Sequence, residues 1–210
     1  KLIYTLFVER VVYNHPFLVM IIVCSLSDLV HVCESVKPKY LISVIDPGYE
    51  PETPKFVQNH LKLGFDDIVK VSPDNHMFRL NTEEIPQLPP NNSHIDSIEK
   101  FTNNWDVSED IVIHCWCGVS RSMATATYLM CKKNIKEIDS NIKYIRSIAP
   151  HANPNKLLIE LFEKNLSTEG KIAKSFEKYP YTQTYDCSTN FAPITLFKYE
   201  EMINYKRKNK

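Results

Sequence analysis

The amino-acid sequence predicts an α/β protein with a central, mostly parallel sheet of about four to five strands flanked by helices. Three observations carry this expectation. Short apolar runs end in turn or polar residues, as in "MIIVCS", "KYLISVIDPG" and "DIVIHC". Segments of helical period separate them. One run passes through a short loop, "HCWCGVSRS", directly into a further helical segment. Strands that alternate with helices form parallel sheets covered on both faces. In such sheets ligands bind beyond the carboxyl ends of the strands, which is where residues 115–121 fall.

Each element follows in order. Met20–Cys24 reads as a buried strand, after which Ser25 caps a helix carrying Leu26, Leu29, Val30, Cys33 and Val36, stopped by Pro38. "KYLISVIDPG" is the second strand and "HLKLGFDDI" the third. Residues 68–92 hold "VSPDN" and "IPQLPPNNS" and read as a long excursion with turns, of the kind that forms lids or binding loops or is simply disordered. Ser93 and Asp96 have capping-box spacing and open a helix with Ile95, Ile98, Phe101 and Trp105 inward. "DIVIHC" is the fourth strand, and the helix Ser122–Lys133 follows its loop. Ile135, Ile138, Ile142, Ile145 and Ile148 mark another helix, and Pro154 begins a third with Leu157, Leu158, Leu161 and Phe162.

Domain organisation follows from these limits. The chain has 210 residues and begins at Lys1, while the pattern starts at Met20, so residues 1–19 are expected to be an extension outside the fold. A catalytic domain is expected over 20–166. Residues 167–210 lack clear periodicity and are expected to be a partly ordered C-terminal extension.

Composition narrows the function. The formal charge is zero, with 25 basic and 25 acidic residues, which gives no support to a nucleic-acid binder. The apolar run Phe17–Cys24 falls far short of the roughly 20 residues that span a bilayer. The six cysteines are dispersed, unlike a secreted disulfide scaffold, and read as reduced thiols of a cytoplasmic protein. His114, Cys115 and Cys117 have no second pair at zinc-site spacing, so no metal or cofactor is expected.

The loop after the fourth strand carries the chemistry. A Cys-x5-Arg spacing arises by accident in roughly one chain of this composition in seven, so its context decides. The first amides of the helix after the loop lack intrahelical partners, and they carry the positive end of the helix dipole. Gly118 opens backbone conformations that let successive N–H groups converge on an anion. Arg121 supplies a planar fork that matches two oxygens of a phosphate. The Ser122 hydroxyl can donate to the Cys115 sulfur, and His114 can orient the loop from the strand. Together these favour a thiolate beneath a tetrahedral dianion, able to accept a phosphoryl group. Cys117 reads as a small loop side chain, because a disulfide to Cys115 would be strained.

"HCWCGVSRS" resembles the signature of cysteine-dependent protein tyrosine phosphatases, closest to the compact dual-specificity type. The frame from "IIVCSLSDL" through "HLKLGFDDI" to "IAPHANPN" is similar to small bacterial members of that superfamily. The resemblance implies that Cys115 is the nucleophile and that Ser122 assists hydrolysis. It implies that the amides of Trp116, Cys117, Gly118, Val119, Ser120 and Arg121, with the Arg121 guanidinium, bind phosphate. It also implies an upstream aspartic general acid, with Asp67 the first choice and Asp66 and Asp74 its rivals. Trp116 and Val119 add no charge to the loop, which favours a phosphorylated protein or aryl phosphate over a phosphoinositide. The expected activity is metal-independent hydrolysis of phosphotyrosine, with phosphoserine and phosphothreonine as further substrates. A phosphate-binding module without turnover, and a cysteine-loop arsenate reductase or sulfurtransferase, are the alternatives.

Overall fold

A computed structural model describes residues 19–75, 86–185 and 191–208, with side chains through Tyr205. The expected extension at 1–19, except Val19, lies outside the described residues, as do residues 76–85 of the excursion and Cys187.

Five strands form one sheet: β1 (Met20–Ser25), β2 (Tyr40–Ile45), β3 (Asn59–Gly64), β4 (Ile111–Cys115) and β5 (Thr195–Lys198). Their spatial order is β3-β2-β4-β1-β5. The first four are mutually parallel, and β5 closes the edge antiparallel to β1, pairing Met20 with Lys198 and Val23 with Thr195. The predicted class holds. The antiparallel edge strand was not legible, because four residues are too few to show alternation.

The helices are α1 (Leu29–Val36), α2 (Asn92–Asn103), α3 (Arg121–Lys133), α4 (Ile138–Ile148), α5 (Lys156–Leu166), α6 (Lys171–Lys178) and α7 (Tyr199–Lys208). Alternation along the strands splits the core in two. Ile21, Val23, Ile42, Val44, Ile111 and Ile113 face one side, joined by buried residues of α2 through α7. Ile22, Leu41 and Val112 face the other, covered by Leu29, Val32 and Cys33 of α1. The central helix α3 is buried from Arg121 to Cys131, and its Tyr128 ring stacks on Phe162 with centroids 4.4 Å apart.

Several expected boundaries move. α1 starts at Leu29, and Val30 is 60% exposed rather than inward. The Ser25 hydroxyl instead accepts from the Asp28 N–H at 3.2 Å and bonds the Asp28 carboxylate at 2.8 Å, closing the turn before the helix. The capping box of α2 is Asn91 with His94, not Ser93 with Asp96, and Trp105 packs just beyond the helix end. α5 begins at Lys156, capped by Asn155, so Pro154 precedes it. Ile135 and Ile148, at the two ends of their periodic segment, are exposed.

Beyond residue 166 the chain keeps contributing to the core. Phe197 of β5 is 1% exposed, and Tyr144 of α4 clasps the Lys198 peptide, donating to its carbonyl at 3.2 Å and accepting from its N–H at 2.9 Å.

On the α1 side of the sheet a polar line crosses three strands. His60 of β3, Ser43 of β2 and His114 of β4 are joined by contacts of 2.7 and 2.6 Å. Burial lowers both histidines to about 4; for His114 the Cys115 carbonyl opposes burial, and His60 and Arg121 add to it.

Two outcomes are expected. Phe197→Ala should cost about 3–5 kcal/mol in urea unfolding, the usual penalty for emptying a buried aromatic site. Stability should also fall as pH drops from about 6.5 to about 4, because in that window the unfolded chain takes up histidine protons that the folded chain excludes. Urea midpoints measured at pH 7 and at about pH 4.5 check the second.

Candidate active site

β4 ends at Cys115 and α3 begins at Arg121, so residues 116–120 form the connecting loop. Gly118 turns it with φ of 74°, in the left-handed region. A Cβ there would lie 3.2 Å from the Cys24 carbonyl carbon and 3.3 Å from the Ser25 nitrogen, both backbone atoms and both closer than ordinary van der Waals contact. Glycine is therefore demanded by the conformation and favoured by the tight space.

Three loop carbonyls are held from outside. Leu26 N–H donates to the Trp116 carbonyl at 3.1 Å, Ala192 N–H to Cys117 at 3.2 Å, and Asn153 N–H to Val119 at 3.0 Å. In a planar trans peptide the carbonyl and the following N–H point in opposite directions. Turning these carbonyls outward therefore turns the amides of Cys117, Gly118 and Ser120 inward. The Gly118 N–H meets the Cys115 sulfur at 3.3 Å, and the Ser122 hydroxyl lies 3.0 Å from the same sulfur. Cys115 is 2% exposed, at the base of the loop.

Arg121 is buried to 1% exposure, and its Nη1 donates to Asp46 Oδ1 and to the Phe65 carbonyl, both at 2.5 Å. Its Nε is buried without a hydrogen-bond partner among the described residues, 3.8 Å from Asp67 Oδ2. Burial works against the charge, but Asp67, Asp46 and Cys115 outweigh it and hold the guanidinium above its ordinary value. One edge of the fork is thus anchored, and an unspent donor remains for an oxyanion.

The three aspartates separate clearly. Asp67 Oδ1 accepts from the Ser120 hydroxyl at 2.8 Å and from Asn155 Nδ2 at 2.7 Å, which holds this carboxylate over the loop. Asp66 is 1% exposed and bonds Leu88 through both its backbone N–H and its carboxylate, pinning the far end of the excursion. Asp74 belongs to an exposed Ser72 turn. Ser120 occupies the N-cap position of α3, and its side chain bonds Asp67 instead of capping. His114 is fully buried, with Nδ1 3.4 Å from the Cys115 carbonyl. Trp116 lies beside Tyr49, ring centroids 5.2 Å apart.

Asp46, Asn155 and Tyr49 were missed in the sequence. Asp46 stood in "VIDPG" as a turn residue, although its place at a strand's carboxyl end marks it as a site candidate. Asn155 fell inside the helix expected to begin at Pro154, and Tyr49 carried no signal at all. Among the described residues, no group of three or more His, Cys, Asp or Glu is placed to hold a metal ion. No helix of the described residues is long and apolar enough to cross a membrane.

Comparison with known proteins bears on this arrangement. R622 of Acanthamoeba polyphaga mimivirus, carried under a tyrosine-protein phosphatase name, is 32% identical over 101 residues. The match covers 44% of this chain and 48% of that protein, so the chain spans about half the length of the curated relative it matches. The phosphatase domain of Yvh1 from Chaetomium thermophilum superimposes with a TM-score of 0.49 at 16% identity, covering 72% of this chain and 93% of that one. For the PTP-2 phosphatase of Cydia pomonella the TM-score is 0.47 at 18% identity, covering 69% and 84%. Residues 57–166, which include β3, β4, the Cys115–Arg121 loop and the helix behind it, match the family model for the dual specificity phosphatase catalytic domain. By that match, over more than half of its length, this chain belongs to the dual specificity phosphatase family.

Proposed function

We propose that the protein hydrolyses phosphotyrosine in proteins, with phosphoserine and phosphothreonine as further substrates, through a cysteinyl-phosphate. The observation that supports this most is the Cys115 sulfur, met by the Gly118 N–H and the Ser122 hydroxyl at the base of a loop whose carbonyls are turned out. Inward amides and the Arg121 guanidinium hold the three non-bridging oxygens of the phosphoryl group as charge spreads onto them.

In the first step the Cys115 sulfur bonds to phosphorus, and the bond to the substrate oxygen breaks. That oxygen takes the proton of Asp67 and leaves as a neutral hydroxyl. In the second step Asp67, now a carboxylate, removes a proton from water as the water oxygen attacks phosphorus. The sulfur departs with the bonding pair, and the Ser122 hydroxyl donates to it, which eases its release as a thiolate. Inorganic phosphate leaves, and Asp67 is protonated again. Asp67 is the aspartate we assign because its carboxylate touches Ser120 and approaches Arg121, whereas Asp66 is engaged with Leu88. His114 orients the loop through the Cys115 carbonyl. Tyr49 and Trp116 offer an aromatic flank that favours an aryl ester. Thiols at Cys24, Cys33, Cys115 and Cys131 suit a reducing compartment, and we place the protein in the cytoplasm.

Para-nitrophenyl phosphate should be hydrolysed at the same rate with and without a chelator, and Cys115→Ser should abolish turnover. Activity that survives Cys115→Ser overturns the reading. Asp67→Asn should cost about 10²–10⁴-fold on a phosphoserine peptide, whose alkoxide is a poor leaving group, and markedly less on para-nitrophenyl phosphate. Wild-type rates on both substrates would remove Asp67 from the mechanism.

A further inference from the structure

We propose that Ser43 and His60, which lie outside the loop signature, are positioning residues for the nucleophile. With Thr53 and His114 they form a hydrogen-bond chain of fixed direction that ends on the Cys115 carbonyl. The inference rests on Cys115 being the reactive thiol.

The direction follows from one end. A carbonyl oxygen only accepts, so His114 Nδ1, 3.4 Å from the Cys115 oxygen, carries a hydrogen. A neutral imidazole has one N–H, so His114 Nε2 is bare and accepts from the Ser43 hydroxyl at 2.6 Å. Ser43 has then spent its only hydrogen, and its oxygen accepts from His60 Nε2 at 2.7 Å. His60 Nδ1 is in turn bare and accepts from the Thr53 hydroxyl at 2.9 Å. Four hydrogens point one way, from exposed Thr53 across β3, β2 and β4 to the residue that carries the thiol. Both imidazoles are held neutral by burial, which keeps one hydrogen on each ring.

The register makes the line possible. Ser43 pairs directly with His114, and His60 pairs with Leu41, two residues along the same face of β2. Without the Ser43 hydrogen, the other His114 tautomer becomes accessible. That tautomer aims a nitrogen lone pair at the Cys115 carbonyl oxygen, and the attraction that anchors the start of the loop becomes a repulsion. The effect falls on the placement of the sulfur and not on substrate contacts, so it belongs in kcat and not in KM.

The test uses Ser43→Ala, Ser43→Thr, His60→Leu and His60→Gln in the full chain. Steady-state hydrolysis of para-nitrophenyl phosphate is measured, together with the rate of Cys115 alkylation by iodoacetamide, followed by mass spectrometry. Ser43→Ala and His60→Leu should lower kcat and alkylation by about tenfold each while KM changes by less than about twofold. Ser43→Thr keeps the hydroxyl and His60→Gln keeps an amide N–H toward Ser43, so each should restore most of the loss. If Ser43→Ala does not fold, the His60 pair, on a half-exposed strand position, carries the test alone. Alkylation needs no turnover, so a wild type that does not hydrolyse phosphate yet shows these alkylation changes keeps the chain's role and defeats the proposed activity. Unchanged kcat and alkylation in folded Ser43→Ala or His60→Leu, or failure of the conservative variants to rescue, overturns the proposal.

Discussion

The geometry of the site depends on where three loop carbonyls send their lone pairs. Trp116, Cys117 and Val119 are each bonded by a backbone N–H from a different part of the chain: the turn after β1, the segment before β5 and the approach to α5. A free loop of this length would turn its carbonyls toward any available donor. Here they are engaged on the outside, and the amides on the opposite ends of the same peptides have only the interior to face. The inward direction of these amides is therefore a property of the surrounding scaffold as much as of the loop, and Gly118 suits the gap because a Cβ would press tightly on the Cys24 and Ser25 backbone.

Arg121 shows the same logic in charge. An arginine at 1% exposure requires compensation, and the Asp46 carboxylate and the Phe65 carbonyl supply it from the ends of β2 and β3. Those contacts also fix the plane of the guanidinium, so little side-chain entropy remains to be lost when an oxyanion is bound. Asp67 lies close enough to feel that charge while being tethered by Ser120 and Asn155. Arg121 thus links two strand ends to the first turn of α3.

Much of this was legible in the sequence, for definite reasons. Three of the four parallel strands announce themselves as apolar runs and β3 by its alternation, and the Cys115–Ser122 cluster is local, so spacing alone brings its members together. Asp46 had only its place at a strand end to mark it and Asn155 had nothing, since each reaches the loop only through the fold, and each already had an ordinary local explanation in a turn and a helix. Ser43 and His60 were hidden more deeply: a serine inside an apolar strand and a histidine at an edge carry no local signal of a shared line. The strand β5 was missed because four residues cannot display a period, and only its partner β1 gives it meaning.

The pairing of β5 with β1 sets an order of events during synthesis. The ribosome releases β1 about 170 residues before β5 (Ser25 against Thr195), and the Ala192 amide that engages the Cys117 carbonyl emerges with the latter. Until then β1 presents an open edge, and one of the three outer tethers of the cysteine loop is missing. The nascent chain can form β2, β3, β4 and the helices behind them, yet its thiol loop is finished only when a late segment returns to an early one. The last outer tether of the loop therefore forms after most of the hydrophobic core is available.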